Sequence, residues 1–442
     1  MSPRYFIETY GCQMNVHDSE RMAGLLEEAG YQPAATDADA DLIVVNTCSV
    51  REHAEDKLYT RLGEINALEE RTGRRPAVAV AGCVAQQEGR RLLTSTNGHV
   101  IDVVVGTQRQ RFLPMLLERA RTDPFALVDT DPLDDVSFPL GIVRRQDPVR
   151  AYITIIEGCN DHCAFCVVPT TRGKERMRRA ADIVDEATAA VASGRREIHL
   201  LGQIVNHYQD PADPNLDFAE LLARVDAIPG VERIRFASPH PRHTSERIID
   251  AIRNLPRVCK HLHLPIQSGS TPILAAMRRR HTREDYLRLV DRVRSAVPDI
   301  QLSTDVIVGF PGETDEDFEA TMSLTREVTF HAIYSFKYSP RPNTLAAMRL
   351  QDNVSETEKT QRIVALQQQQ REIQEGLHGA MVGRTFDVLI DATSRRRPEE
   401  LSGRTSGNTT VNCPGEPSWI GRTVSITIER AGPYSAWGRP AT

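Results

Sequence analysis

No stretch of this 442-residue sequence stays apolar for the ~18–20 residues that span a bilayer. Its start, Met1-Ser-Pro-Arg-Tyr-Phe-Ile7, lacks the apolar centre of a signal peptide and reads as a strand. Nor is there an excess of positive charge. The formal net charge is −6, so a nucleic-acid partner has to be met by a local patch. These absences lead to the expectation of a cytoplasmic chain with no membrane partner. Disulfides are not expected either, because eight cysteines in a cytosolic-looking chain argue for metal ligation. The composition, 40% hydrophobic and 26% charged, is that of a globular protein, and the length calls for two or three domains.

A further absence is the most informative. Within Glu157-Gly-Cys-Asn-Asp-His-Cys-Ala-Phe-Cys-Val-Val-Pro169 three cysteines, Cys159, Cys163 and Cys166, are spaced C-x3-C-x2-C, and no fourth is near; the next, Cys259, is 93 residues on. Structural zinc and electron-transfer iron–sulfur centres normally take four protein ligands. A three-thiolate set leaves one iron open for a small molecule; a zinc loop or a disulfide with a spare thiol are the alternatives. The loop follows Ala151-Tyr-Ile-Thr-Ile-Ile156, a buried-strand pattern, and such loops lie where α/β folds collect ligands.

The first 125 residues alternate strand and helix. Strands are expected at 4–9, 41–46, 77–81 and 100–105, with helices at 18–29 (capped by Asp18 or Ser19), 52–70 and 108–120. This predicts a parallel sheet covered on both faces. Cys12, Cys48 and Cys83 each follow a strand directly, and parallel strands end on one edge, so three loops can bring a second thiolate trio together. Taken singly, each cysteine would serve as well as a small buried hydrophobe.

After residues 126–145, an aperiodic linker rich in Asp, Pro and Arg, the βα alternation resumes through 146–375. Six strands suit an incomplete (β/α)6 barrel, open on one side; a closed eight-strand barrel would need more chain. Thr170-Thr-Arg-Gly-Lys-Glu-Arg-Met-Arg-Arg179 carries five basic residues, a solvated helix start or a phosphate-contacting rim. His162, His199, His261 and His263 are expected to line loops or the core. A Gln- and Arg-rich helix over 356–377 leads to residues 376–442, where short alternating strands suit a small antiparallel barrel. From Gly379 onward eight Arg face six acidic residues, with Arg395-Arg-Arg397 in a loop, a composition that suits RNA phosphates. Cys259 and Cys413 receive no role.

The C-x3-C-x2-C loop, with Phe165 before its third cysteine, resembles the signature of the radical S-adenosylmethionine superfamily. Thr9-Tyr-Gly-Cys-Gln-Met-Asn-Val-His-Asp-Ser-Glu20, Asn46-Thr-Cys-Ser-Val-Arg51 and Ala81-Gly-Cys-Val-Ala-Gln86 resemble the three amino-terminal cysteine motifs of the methylthiotransferases. The Gly-Cys-Gln-Met-Asn form is similar to the tRNA-directed branch; the branch acting on a ribosomal-protein aspartate typically has Lys-Asn there. Residues 376–442 resemble the TRAM domain, an RNA-binding barrel.

The resemblance implies two 4Fe–4S clusters, an auxiliary one on Cys12, Cys48 and Cys83 and a radical one on Cys159, Cys163 and Cys166. It implies S-adenosylmethionine as methyl donor and as source of a 5′-deoxyadenosyl radical, held by Phe165, Gln203, Asn206, Ser238, Gln267, Ser268 and Gly309. The implied reaction is methylthiolation at C2 of N6-isopentenyladenosine beside the anticodon of tRNA. A reducing protein such as flavodoxin, a sulfur donor for the auxiliary cluster and a monomeric state are further expectations. Three departures from the family pattern, Gln203-Ile-Val-Asn206, Val168-Pro-Thr-Thr-Arg-Gly173 and Ser339-Pro-Arg-Pro-Asn-Thr344, touch no cysteine. The competing readings are the same chemistry on a ribosomal-protein aspartate or on threonylcarbamoyladenosine, and a non-catalytic iron–sulfur RNA-binding protein.

Overall fold

A computed structural model describes residues 2–49, 52–132 and 142–441. The chain forms two compact units: Met1–Gln146 with Ile156–Asp161 and Cys166–Arg176, and Asp147–Ile155 with His162–Phe165 and Met177–Thr442. No described helix is long and apolar enough to cross a membrane.

The first unit is built on a sheet of six parallel strands: β1 (Arg4–Tyr10), β2 (Gln32–Pro33), β3 (Leu42–Thr47), β4 (Ala77–Gly82), β5 (Val103–Val105) and β6 (Leu127–Asp129). Their order is β2-β1-β3-β4-β5-β6. Helices α1 (Gln13–Glu28), α2 (Glu52–Thr72), α3 (Cys83–Glu88) and α4 (Leu113–Ala120) connect them. Successive side chains of a strand point to opposite faces. Ile43, Val45, Val78 and Val80 therefore pack on Leu58, Leu62 and Ile65 of α2. Leu42, Val44, Ala79 and Ala81 pack on Met22 and Leu26 of α1 and Leu113 and Leu117 of α4. Both faces are apolar, which is why these strands read as unbroken Val, Ile and Ala runs.

Two expectations change here. Helix α1 begins at Gln13, not Asp18: the side chain of Asn15 accepts the Cys12 amide at 3.3 Å, so Cys12 itself caps the helix. The expected linker 126–145 contains β6, which pairs with β5; Pro, Asp and Arg around a three-residue strand hid the pattern. Most of the remainder, 133–141, lies outside the described residues, as do Val50 and Arg51 of the second cysteine motif.

The chain continues through β7 (Arg150–Thr154), β8 (Ile156–Glu157), α5 (Val168–Thr171), β9 (Arg176–Met177), α6 (Ala180–Ala192), β10 (Glu197–Leu201), α7 (Phe218–Asp226), β11 (Arg233–Phe236), α8 (Glu246–Asn254), β12 (His261–His263), α9 (Thr271–Ala276), α10 (Arg283–Ala296), β13 (Gln301–Val308), α11 (Asp315–Val328) and β14 (Ala332–Lys337). In the second unit β7, β10 and β11 form one parallel sheet and β12, β13 and β14 another. A parallel bridge between Ile234 and Val258 joins them, with Ile234 N–H donating to Arg257 O at 2.8 Å. Six parallel strands in sequence order make the expected partial barrel.

After α12 (Leu345–Arg349) and α13 (Glu356–Gly379), five strands close a small barrel in the order β15-β16-β17-β19-β18: β15 (Thr385–Thr393), β16 (Glu400–Thr405), β17 (Thr410–Pro414), β18 (Thr423–Ala431) and β19 (Ala436–Pro440). Its core includes Val388, Ile390, Leu401, Ile426 and the fully buried Cys413, whose thiol burial pushes up to about 11. The small barrel seats its 404–409 turn on the amino ends of the large-barrel strands. Arg235 at β11 donates to Thr405 O at 2.7 Å and Ser406 O at 3.1 Å, while its Nε bonds Glu197 of β10 at 2.9 Å. Arg233 donates to Asp387 O at 2.9 Å and also reaches Arg404 O. Arg150 of β7 pairs with Asp391 at 3.0 Å, and Thr409 bonds Gln301 of β13 at 3.1 Å. His199 bonds Glu197 at 2.6 Å and belongs to this buried network. Buried Cys259 precedes β12 at the same end, its amide donating to Ile234 O.

Candidate metal centres and their support

Pairing register decides whether the amino-terminal cysteines meet. Tyr10 lies opposite Thr47, and Thr47 opposite Gly82. Cys12, Cys48 and Cys83 follow this row by two, one and one residues. Adjacent strands are ~4.8 Å apart, so the three thiols leave the sheet side by side, with Cys48 in the middle. The backbone is shaped for this approach. Gly82 has φ of 91°, and a Cβ there would stand 2.3 Å from Asn46 Oδ1 and 2.6 Å from Thr47 O. A Cβ on Gly11 would stand 2.8 Å from the Cys48 Cβ. Both positions require glycine.

Two of the three thiols, Cys12 and Cys83, are electrostatically prepared as thiolates. Cys48 shares hydrogen bonds with both neighbours; these hold Cys12 down to about 6 and lower Cys83, while Cys48, the donor, is raised. Two further groups help. Cys12 caps α1, whose amino-terminal amides favour an anion. The Arg172 charge lowers both Cys12 and Cys83. All eight cysteines are free thiols. Among the described residues no three His, Cys, Asp or Glu side chains close on one point as a single metal ion requires. A row of thiols presented by three loops instead fits the separate corners of a cube-shaped cluster.

Arg172 fits neither of the two readings of 170–179, a solvated helix start or a phosphate-contacting rim. It is buried, 2.7 Å from Asp18 of α1 and 3.4 Å from Glu157, two residues before Cys159. Its carbonyl accepts from Gln108 at 3.1 Å, Thr107 Oγ1 donates to Thr171 O at 2.5 Å, and the Cys159 amide donates to Gly173 O at 3.1 Å. The segment after the cysteine loop is thus stitched to the sheet edge that carries the amino-terminal trio. Arg178 is buried too, paired with Glu186 at 2.6 Å. Only Lys174 and Arg179 of the five basic side chains are exposed. A run of five basic residues looks uniform in sequence; the Asp and Glu partners of Arg172 and Arg178 lie 154, 15 and 8 residues away along the chain.

Chain connectivity alone confines Cys159, Cys163 and Cys166, which fall within eight residues. Cys159 is buried and its sulfur accepts the Asp161 amide at 3.4 Å; His162 is exposed. Phe165 packs against Ile273, Met277, Phe310 and Tyr338.

The other expected cofactor contacts all fall after strands of the partial barrel, but they are not equivalent. Ser238 and Gln267 hold left-handed backbone, φ 61° and 74°, a cost that non-glycine residues accept mainly at functional loops. Gly309, φ 70°, donates its amide to Glu313 at 2.8 Å, and a Cβ would meet the Lys359 side chain at 2.3 Å. Gln203 is half-buried after β10. Asn206 and Ser268 also take part in hydrogen bonds of their own loops. The Asn206 amide spans His240 O at 2.9 Å, His240 N at 2.8 Å and Thr244 Oγ1 at 3.1 Å. Ser268 is fully buried and accepts the Ser270 amide at 3.2 Å. Both brace loops from within.

Three cysteines at the edge of a parallel sheet, a cysteine loop after the first strand of a partial (β/α)6 barrel and a closed five-strand barrel define the class of radical S-adenosylmethionine enzymes with a small carboxyl-terminal barrel. Residues 153–325 match the radical SAM superfamily, residues 4–106 the uncharacterized protein family UPF0004, and residues 379–441 the TRAM domain. Proteins named tRNA-2-methylthio-N(6)-dimethylallyladenosine synthase are similar over nearly the whole chain. That of Geobacter metallireducens is 44% identical, covering 99% of this chain and 98% of its own. That of Geotalea uraniireducens is 43% identical, covering 98% of each. The chain belongs to this family. A solved radical S-adenosylmethionine methyltransferase, TsrM of Kitasatospora setae, shares the fold with a TM-score of 0.58 at 16% identity, over 78% of this chain and 74% of that one.

Proposed function

We propose that this chain methylthiolates C2 of N6-isopentenyladenosine beside the anticodon of tRNA. The observation that carries the reading is the register Tyr10–Thr47–Gly82, which delivers three cysteines to one sheet edge. Cys12, Cys48 and Cys83 would hold one 4Fe–4S cluster and Cys159, Cys163 and Cys166 another. The clusters and S-adenosylmethionine, when bound, supply the electron, the methyl group and the radical chemistry that an unactivated C–H requires. The residues of the chain do the rest. Gln203, Ser238, Gln267 and Gly309 offer backbone and side-chain polar groups to the cofactor at the strand ends. Asn206 and Ser268 hold those loops in place. Phe165 shields the cysteine loop from water. The division of labour is an auxiliary-cluster domain over 1–125, extended by β6, a radical domain over 146–375 and an RNA-binding barrel over 376–442.

The target base has to leave its stack to be reached, as single-stranded loops permit. The substrate places the enzyme in the cytoplasm, served there by a flavodoxin-like reductant and a sulfur donor for the auxiliary cluster.

Mass spectrometry of tRNA nucleosides from cells with and without the gene tests this. Loss of 2-methylthio-N6-isopentenyladenosine without the gene, restored by the wild type and not by Cys12→Ala, is the expected result. An unchanged nucleoside profile overturns it. A reconstituted wild type that forms no 5′-deoxyadenosine eliminates the enzyme reading altogether.

A further inference from the structure

The sheet of β12, β13 and β14 carries a hydrogen-bonded chain that ends on a half-exposed carboxylate. On β13 Leu302, Thr304, Val306 and Val308 are fully buried, so Ser303, Asp305 and Ile307 share the opposite face. Helices cover the outside of a β/α barrel, and this opposite face lines its interior. The register sets His263 beside Ser303 and Asp305 beside Tyr334. Ser303 Oγ lies 2.9 Å from His261 Nε2 and 2.9 Å from His263 Nδ1, and His263 Nε2 lies 3.3 Å from Asp305 Oδ2. The Asp305 side chain stays 28% exposed. The Tyr334 ring, 50% exposed, stands edge-on to His263 at 5.7 Å. The cofactor loops are close by. The Gln267 amide donates to Asp305 O at 2.9 Å, and Ile307 packs in the same apolar cluster as Phe165.

With neutral rings the chain runs in one direction. An ionised carboxylate only accepts, so His263 Nε2 donates to Asp305 and its Nδ1 accepts from Ser303 Oγ–H. Ser303 in turn accepts from His261 Nε2–H, and burial holds His261 neutral, its pKa well below the usual range. The chain fixes Oδ2 and turns the acceptor capacity of Oδ1 to the barrel interior. A carboxylate oxygen aimed beside an exposed aromatic ring suits a planar ligand with an N–H: the ligand lies on Tyr334 and its N–H meets Oδ1. On the base of N6-isopentenyladenosine N1, N3 and N7 are acceptors, and N6 alone carries a hydrogen. We propose that Asp305 accepts a hydrogen bond from the N6–H of the extruded target base, and that this base stacks on Tyr334. This rests on the tRNA reading proposed above. Asp305→Asn would reverse the polarity of the contact, because its oxygen takes the His263 proton and its NH2 group turns to the base.

The test is filter binding of the reconstituted full-length chain to an anticodon stem-loop RNA in two forms. One carries N6-isopentenyladenosine at the target position. The other carries O6-isopentenylinosine, in which an ether oxygen replaces the N6–H. The wild type is expected to bind the first about tenfold more tightly or better, the worth of one charge-assisted hydrogen bond. Asp305→Asn is expected to abolish or invert that preference. Tyr334→Ala should weaken both RNAs about tenfold and keep the preference, while Tyr334→Phe leaves both unchanged. Should Asp305→Asn fail to fold, the wild-type preference and the Tyr334 variants decide. Equal binding of the two RNAs by the wild type, a preference that survives in Asp305→Asn, or full binding by Tyr334→Ala overturns the proposal and leaves the tRNA reading standing. A wild type that binds neither stem-loop better than a hairpin of unrelated loop sequence overturns the tRNA reading, and the proposal with it.

Discussion

Replacing Arg172 with Gln removes the cation paired with two buried carboxylates, Asp18 at 2.7 Å and Glu157 at 3.4 Å, all three side chains at most 6% exposed. Breaking a buried pair by deleting one partner typically costs ~3–5 kcal/mol, because the remaining charge stays desolvated. The loss has a definite pH dependence. Burial already pushes the Glu157 carboxyl up, against the lowering effect of Arg172. Without Arg172 the folded-state pKa rises further above the unfolded value of ~4.3. A raised carboxyl contributes stability below the unfolded pKa and loses it as pH climbs through the folded one. The defect should therefore be larger at pH 8 than at pH 5. Global unfolding of a multidomain chain is not two-state, so the measurement is hydrogen exchange of the α1 amides by mass spectrometry on the cluster-free protein. The expectation is opening easier by ~3 kcal/mol at pH 8, with much of it regained when Asp18→Asn and Glu157→Gln are added. Protection within about 0.5 kcal/mol of wild type at pH 8, or a defect that grows toward acid, would refute the reasoning.

Gly82→Ala forces a side chain into left-handed backbone and against Asn46 and Thr47; opening of the β4 amides easier by ~2 kcal/mol or more in hydrogen exchange, and reduced iron uptake by the amino-terminal trio in an iron assay, are expected. Arg235→Ala strands Glu197, whose pKa burial raises but the Arg235 charge brings well below the usual range. The expected cost is ~3–5 kcal/mol, seen as faster exchange in the 404–409 turn, and a turn as protected as wild type counts against the docking role. Burial holds His240 neutral, its pKa down at about 2, and lowers His281 to about 4. Groups depressed below an unfolded value of ~6.5 contribute stability above that pH and lose it as pH falls. Melting temperature should thus drop from pH 6.5 to 4, with a shallower slope in His281→Gln; equal slopes contradict the assignment.

Much of this was legible in the sequence because parallel α/β architecture repeats a simple code. Helix α11 runs over Asp315–Val328, opened by a Thr314–Asp317 capping box, and Val and Ile runs mark strands buried on two faces. Three cysteines placed just after such runs could be read as neighbours before any pairing was known. Short or weakly patterned elements escaped: the edge strand β6, and β16 and β19 of the small barrel, where Gly403 and Gly438 interrupt the alternation. The start of α1 escaped for a chemical reason, since cysteine is a rare N-cap and Asp18 a common one. Asp18 is instead the buried partner of Arg172.

What the sequence hid most completely is the supporting charge. Arg172, Arg178, Arg235 and Arg279 are all at most 7% exposed, yet nothing local separates them from the exposed Lys174 and Arg179. Their partners lie 154 residues away for Arg172 and Asp18, 38 for Arg235 and Glu197, and 116 for Arg279 and Cys163. A motif reports its own residues, whereas burial of a charge is decided by what the fold carries to it. The thiols of such a site can therefore be found from spacing alone, but the groups that fix their charge state become visible only in three dimensions. That is why the cation beside Cys12 and Cys83, more than the cysteines themselves, is where substitution will tell a positioned cluster from a merely ligated one.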